Sequence, residues 1–144
     1  MNNSRALLLD IVVLTKDNIE ELKFTLDSLP SVIDNINLNV YIIDGSLKEI
    51  NCELLEGYKH ENINLIYINS YKIGVKGIYP SMNLALQYIQ GDWMIFMNSG
   101  DRFSNSNIFN SLYSYLDNQS LDLIFGKALI VSREESFSFL MPSS

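Results

Sequence analysis

The sequence predicts an α/β fold with a mostly parallel sheet flanked by helices. Short apolar, β-branched runs alternate with segments of helical periodicity along the whole chain. The first run, Leu7–Leu14, is apolar apart from Asp10, as in a strand buried on both faces. The next segment, Thr15–Pro30, is a helix with Ile19, Leu22, Leu26 and Leu29 on one stripe. Asp17 and Glu20 form a capping-box-like start, and Pro30 marks the exit. Asn39–Ser46 is a second strand ending in Asp-Gly-Ser, Lys48–Tyr58 a weaker helical patch, and Ile63–Asn69 a third strand. Tyr79–Gly91 is a helix with Pro80 in its first turn, Met82, Ala85, Leu86 and Ile89 as its stripe, and Gly91 as its C′ residue. Asp92–Asn98 is a fourth strand. Ser104–Gln119 is a helix with several Ser and Asn candidates for its cap, and Leu121–Ser132 is a fifth strand.

Residues 1–144 read as one domain, long enough to bury roughly two-thirds of the unfolded surface. With 47% hydrophobic and 19% charged residues, three prolines and seven glycines, the chain is globular and neither disordered nor fibrous. Ten basic against 17 acidic residues give a formal charge of −7. That balance argues against nucleic acid as a partner, although one local basic site could still hold a nucleotide. Cys52, the single cysteine, has no intrachain partner, which points to a reducing cytoplasm. Neither Cys52 nor His60, in the polar stretch Tyr58–Asn62, sits in a pattern that suggests chemistry. No apolar run approaches the ~20 residues of a membrane span. Asp10 interrupts Ala6–Leu14, the nearest candidate for a signal sequence.

Ligands of such sheets sit beyond the carboxyl ends of the strands. That rule selects Thr15–Asp17, Asp44–Ser46, Asn69–Lys76 and Asn98–Asp101. The dinucleotide fingerprint and the P-loop are both absent from the sequence. An acid after the second strand, Asp44, can accept from a base or ribose hydroxyls. An acid after the fourth, Asp101, can hold a hard cation that bridges diphosphate oxygens. Both acids equally suit ordinary turns, since Asp-Gly and Ser-Gly-Asp favour them.

The blocks Gly77-Ile78-Tyr79, Met82-Asn83, Gly91-Asp92 and Asn98-Ser99-Gly100-Asp101, in that order, resemble family 2 glycosyltransferases of GT-A (Rossmann-like) fold. The similarity is closest to bacterial enzymes of exopolysaccharide, colanic-acid-type assembly, and spans roughly residues 8–132. The resemblance implies that Thr15, Lys16 and Asp17 frame the nucleotide base, and that Asp44, Gly45 and Ser46 contact base or ribose. It places Gly77, Tyr79 and Asn83 beside the donor diphosphate and sugar. Asn98 and Ser99 lead to Asp101 as the ligand of Mg²⁺ or Mn²⁺. The implied donor is a UDP- or GDP-linked sugar, the acceptor a saccharide or lipid-linked hydroxyl, and the chemistry inverting. The expected location is cytoplasmic, peripheral to the inner face of the membrane.

The chain departs from the family pattern at Pro80, where an acid is expected, at Leu47-Lys48, and at Gly126-Lys127-Ala128. Complete members continue well past the equivalent of Ser144. The expectation is therefore a donor-binding portion whose fold is incomplete at its C-terminus and whose catalytic base lies further on. Asp122, Glu134 and Glu135 read as surface charge. A non-catalytic nucleotide-sugar module stays open beside the enzyme. A receiver domain does not fit, because Lys16-Asp17 and Asn69-Ser70 stand where its acidic pair and phosphoacceptor belong. Ser136–Ser144 alternates like an edge strand and implies self-association as a homo-oligomer.

Overall fold

A computed structural model of the chain describes residues 6–30, 33–105, 107–124, 126, 128–131 and 138–141. Its elements are β1 (Leu7–Thr15), α1 (Ile19–Asp27), β2 (Ile36–Asp44), α2 (Glu53–Glu56) and β3 (Ile63–Asn69). There follow α3 (Ile78–Leu86), β4 (Trp93–Asn98), α4 (Ile108–Leu116), β5 (Ala128–Val131) and β6 (Ser138–Met141). Four strands form one parallel sheet in the order β3-β2-β1-β4. The expected α/β class is met.

The central strand is the most continuous apolar run, as burial on both faces requires. Odd-numbered residues Leu9, Ile11 and Val13 of β1 join Leu38, Val40 and Ile42 counted along β2, under Leu22 and Leu26 of α1, Leu55 of α2 and Phe109 of α4. The opposite face carries Val12, Tyr41, Ile43 and Ile68 against Leu84 and Ala85 of α3. The result is three layers, with α1, α2 and α4 on one side and α3 on the other. Phe103 and Phe109 pack edge to face with centroids 4.9 Å apart, and the Trp93 indole N–H donates to Leu116 O at 2.7 Å.

Several local expectations are corrected. Asn18, rather than Asp17, caps α1, its side chain accepting from Glu21 N–H at 3.0 Å. Asp17 adopts φ 54° just before it. The buried stripe of α3 is Ser81, Leu84 and Ala85; Leu86 faces solvent. The helix stops at Leu86, so Gly91 is not its C′ residue. The fifth strand is shorter than Leu121–Ser132 and stands outside the parallel sheet. Ala128–Val131 instead pairs antiparallel with Ser138–Met141 in a separate two-stranded sheet. The segment expected as an edge strand therefore has a partner over 138–141, while residues 136, 137 and 142–144, with Lys127, Glu134 and Glu135, lie outside the described residues.

Gly91 serves a different purpose. Asp10, midway along β1, is wholly buried, and its carboxylate accepts from Asn39 Nδ2 at 3.1 Å, Gln90 N–H at 2.8 Å and Gly91 N–H at 2.6 Å. A buried charge needs such donors. The turn before β4 must therefore come down onto the sheet. A Cβ at residue 91 would meet Leu8 O at 2.8 Å and the Asp10 carboxylate at 3.0 Å. Gly91→Ala is expected to destabilise the fold by about 1–3 kcal/mol through this overpacking, measured as a lower urea midpoint with an unchanged slope.

Candidate functional site

Chain order places β2 and β3 on one side of β1 and β4 on the other. The sheet therefore reverses direction between β1 and β4, and the loops leaving those strands part at that point. A cleft of about 430 Å³ opens there. Thr15, Lys16 and Gly45 form one wall, Asn98 and Ser99 another, and Tyr71, Lys76, Gly77, Ile78 and Ser81 the third. The last three belong to the start of α3, which has no side-chain cap and no acid in its first turn.

A buried hydrogen-bond network fixes the first wall. Asp44, at 0% exposure, ends β2 and receives Ser46 N–H at 2.9 Å and the Ser46 hydroxyl at 2.5 Å on Oδ1. Its Oδ2 receives the Tyr67 hydroxyl at 2.5 Å. Ser46 Oγ in turn accepts Asp17 N–H at 2.7 Å, and Ser46 O accepts Asn69 Nδ2 at 2.9 Å. Gly45 N–H reaches across to Thr15 O at 3.0 Å. The ends of β1, β2 and β3 are thus tied through one carboxylate. Burial, and then the hydrogen bond to Asp44, push the Tyr67 phenol up to about 12.

The second wall is fastened from α1. Ser99 N–H donates to Leu14 O at 2.8 Å, and Gly100 N–H to Thr25 Oγ at 2.9 Å and Glu21 O at 3.1 Å. Phe103 N–H donates to Ser28 Oγ at 3.1 Å. Gly100 has φ 97°, a conformation that suits glycine. Asp101 closes this turn: its Oδ2 accepts Asn98 N–H at 3.1 Å, while its own N–H donates to Asn98 O at 3.0 Å.

The structure brings Thr15, Lys16, Gly45, Gly77, Asn98 and Ser99 of the expected set onto one cleft. Asp44 and Ser46 are buried behind it with their polar atoms engaged. Asp44 thereby positions the loop, where the sequence suggested an acceptor for base or ribose. Asp17 contributes its backbone N–H to the same network and its side chain is exposed. Tyr79 is 79% exposed, and Asn83 lines a neighbouring cavity of about 510 Å³ with Pro80 and Gln87. Asp101 does not line the cleft. Tyr71, Lys76, Ile78 and Ser81 were not singled out from the sequence. Tyr71 and Lys76 lie in the Asn69–Lys76 stretch expected beyond β3, and Ile78 and Ser81 in the Gly77–Asn83 stretch that the resemblance set beside the donor.

Several solved structures are similar to this chain. A crystal structure of S. aureus TarS comprising 1–349 is 17% identical with a TM-score of 0.59, over 76% of this chain and 32% of its own. Another TarS crystal structure is 19% identical with a TM-score of 0.56, over 76% and 19%. The mannosyltransferase PcManGT from Pyrobaculum calidifontis, in complex with GDP-Man and Mn²⁺, is 13% identical with a TM-score of 0.59, over 89% and 36%. The chain shares its α/β fold with these structures, a mannosyltransferase among them. It spans 36% or less of the length of each of these three chains. No family model and no curated protein matches the sequence.

Replacing Tyr67 by Phe strands Asp44 Oδ2 in the interior. The expected cost is about 1–3 kcal/mol at neutral pH, read from urea unfolding. Because folding raises this phenol's pKa, its contribution is complete below the ordinary value of 10.0 and lost as pH rises through about 12. The stability gap between wild type and Tyr67→Phe is therefore expected to close over that interval.

Proposed function

We propose that the chain forms the donor half of a glycosyltransferase and binds a nucleoside-diphosphate sugar, UDP- or GDP-linked, in the cleft between β1 and β4. The observation that carries this reading is a cleft at the sheet's reversal point, lined by lysines, hydroxyls and glycine backbone, on a fold shared with glycosyltransferases. The complex of PcManGT with GDP-Man and Mn²⁺ supports the choice of ligand class.

In this reading Thr15 and Gly45 border the nucleoside, and Asp44 keeps their loops in place through Ser46 and Tyr67. Ser81, Ser99 and Asn98 offer hydrogen bonds to phosphate or sugar oxygens. The acceptor hydroxyl, on a saccharide or a lipid-linked sugar, attacks the anomeric carbon from the face opposite the diphosphate. A C–O bond forms, the bond from that carbon to the diphosphate oxygen breaks, and the hydroxyl proton passes to a base. No carboxylate lines the cleft among the described residues, so the chain's own contribution is binding, orientation and stabilisation of the leaving group. The same observation favours a second reading, a module that binds the donor without turnover.

A hard cation here would be held mainly by substrate oxygens, with one carboxylate from the chain. Among the described residues no three His, Cys, Asp or Glu side chains converge, and Asp101 Oδ1 accepts no hydrogen bond within the protein. One carboxylate oxygen with phosphate and water oxygens is a usual Mg²⁺ or Mn²⁺ environment. Such an ion would stabilise negative charge on the departing diphosphate. Asp101 is the residue that would hold it.

Among the described residues no helix is long and apolar enough to cross a membrane. A cytoplasmic enzyme of surface-polysaccharide assembly, meeting its lipid-linked acceptor at the inner face of the membrane, agrees with that. Calorimetry with uridine and guanosine diphosphates, with and without Mn²⁺, tests the reading. Binding of at least one is expected, with Mn²⁺ tightening it and Asp101→Ala removing roughly a tenfold part of that gain. Absence of binding to both, in either condition, would refute it.

A further inference from the structure

The chain is acidic overall, yet the cleft between β1 and β4 is cationic. Among the described lysines, Lys23, Lys59 and Lys72 pair with Glu20, Glu56 and Glu49 at 3.2, 2.8 and 2.8 Å. Lys16, Lys48 and Lys76 form no ion pair among the described residues, and two of these three line the same cleft. Among the described residues no carboxylate lines it, so neither ammonium is paired within the cleft. In a concave site with low-dielectric walls, such charges focus the field on an entering anion.

Both lysines are also held in place. The Lys76 ammonium stands 5.3 Å from the centre of the Tyr71 ring, within cation–π range, and both residues line the cleft. The loop carrying them is pinned at both ends: Lys72 N–H donates to Asn69 Oδ1 at 2.9 Å, and Val75 N–H to Ser70 O at 2.9 Å. Lys72 is drawn away to Glu49, leaving Lys76 as the cation of this loop that serves the cleft. Across from it, the Lys16 stem lies along Gly45, with Cδ and Cβ 3.8 and 3.9 Å from where a Cβ would stand. Asp101, by contrast, has one oxygen committed to its own turn and lies outside the lining.

We propose that Lys16 and Lys76 are the pair that neutralises the diphosphate in this cleft, so that nucleoside diphosphates bind here without a divalent cation. The inference rests on the donor-binding reading and adds the residues that carry the anion. A cation at Asp101 would then add affinity to a site that already binds. Ammonium groups serve phosphate as point charges, and each charge-assisted contact is worth roughly tenfold or more in affinity.

The test uses the full chain, wild type and the variants Lys16→Met, Lys76→Met and Lys76→Arg, titrated in EDTA by calorimetry with inorganic pyrophosphate, uridine diphosphate and guanosine diphosphate. Both lysines are exposed, so urea midpoints are expected to match wild type. The expected result is binding in EDTA that weakens roughly tenfold in each Met variant and recovers in Lys76→Arg. The salt dependence should also become shallower with each lost charge. Binding that requires Mn²⁺ and is equally tight in wild type and both Met variants would overturn the inference while leaving the donor reading intact. Lysine-dependent binding of pyrophosphate with no binding of either nucleotide would support the cationic pair and overturn the donor reading instead.

Discussion

The Asp44 carboxylate is the point on which the carboxyl end of the sheet depends. Fully withdrawn from water, it is stable there because a phenol, a hydroxyl and a backbone amide all donate to it. Those donors come from β3 and from the loop after β2, and the Ser46 hydroxyl passes the connection on to the Asp17 amide after β1. The loops of β1, β2 and β3 consequently share one geometry. A loop held in this way loses little freedom when a ligand arrives, which is the physical meaning of a preorganised wall.

The same device recurs elsewhere in the molecule. Thr25 and Ser28 of α1 offer hydroxyl oxygens to the amides of Gly100 and Phe103, while Asp10 receives the amides of Gln90 and Gly91. In each case a side-chain oxygen on a regular element captures backbone N–H groups of an irregular one. Connections that would otherwise need water or secondary structure are thereby satisfied internally. Among the described residues no buried side-chain nitrogen or oxygen lacks a partner.

Much of this architecture was legible in the sequence. The apolar runs marked β1 to β4, with β3 expected and found over Ile63–Asn69, because a parallel strand must be apolar on both faces. Details governed by distant partners were not legible. Asp17 and Asn18 are both able to cap α1; Asn18 does so, while the Asp17 amide is bonded to Ser46, 29 residues away. Gly91 looked like a helix end and is instead a point of close approach to β1, set by a carboxylate 81 residues away. Asp44 suited either a ligand contact or an ordinary turn by sequence, and its burial depends on the Tyr67 hydroxyl donated from β3. The fifth strand failed for a different reason: periodicity cannot say which sheet a strand joins, and Ala128–Val131 pairs with the chain that follows it. At the cleft, the loop after β3 was identified, but which of its lysines faces inward depends on Glu49 capturing Lys72.

The fastening of the cleft has a consequence for how the protein can diverge. The atoms that hold its walls are buried side chains and main-chain amides, whereas Lys16, Tyr71 and Lys76 project from those walls without anchoring them. Exchanging the projecting residues therefore alters what the surface recognises at little expense to folding. Descendants of one such scaffold can acquire new ligand preferences by a few outward replacements, while the interior latch stays as it is.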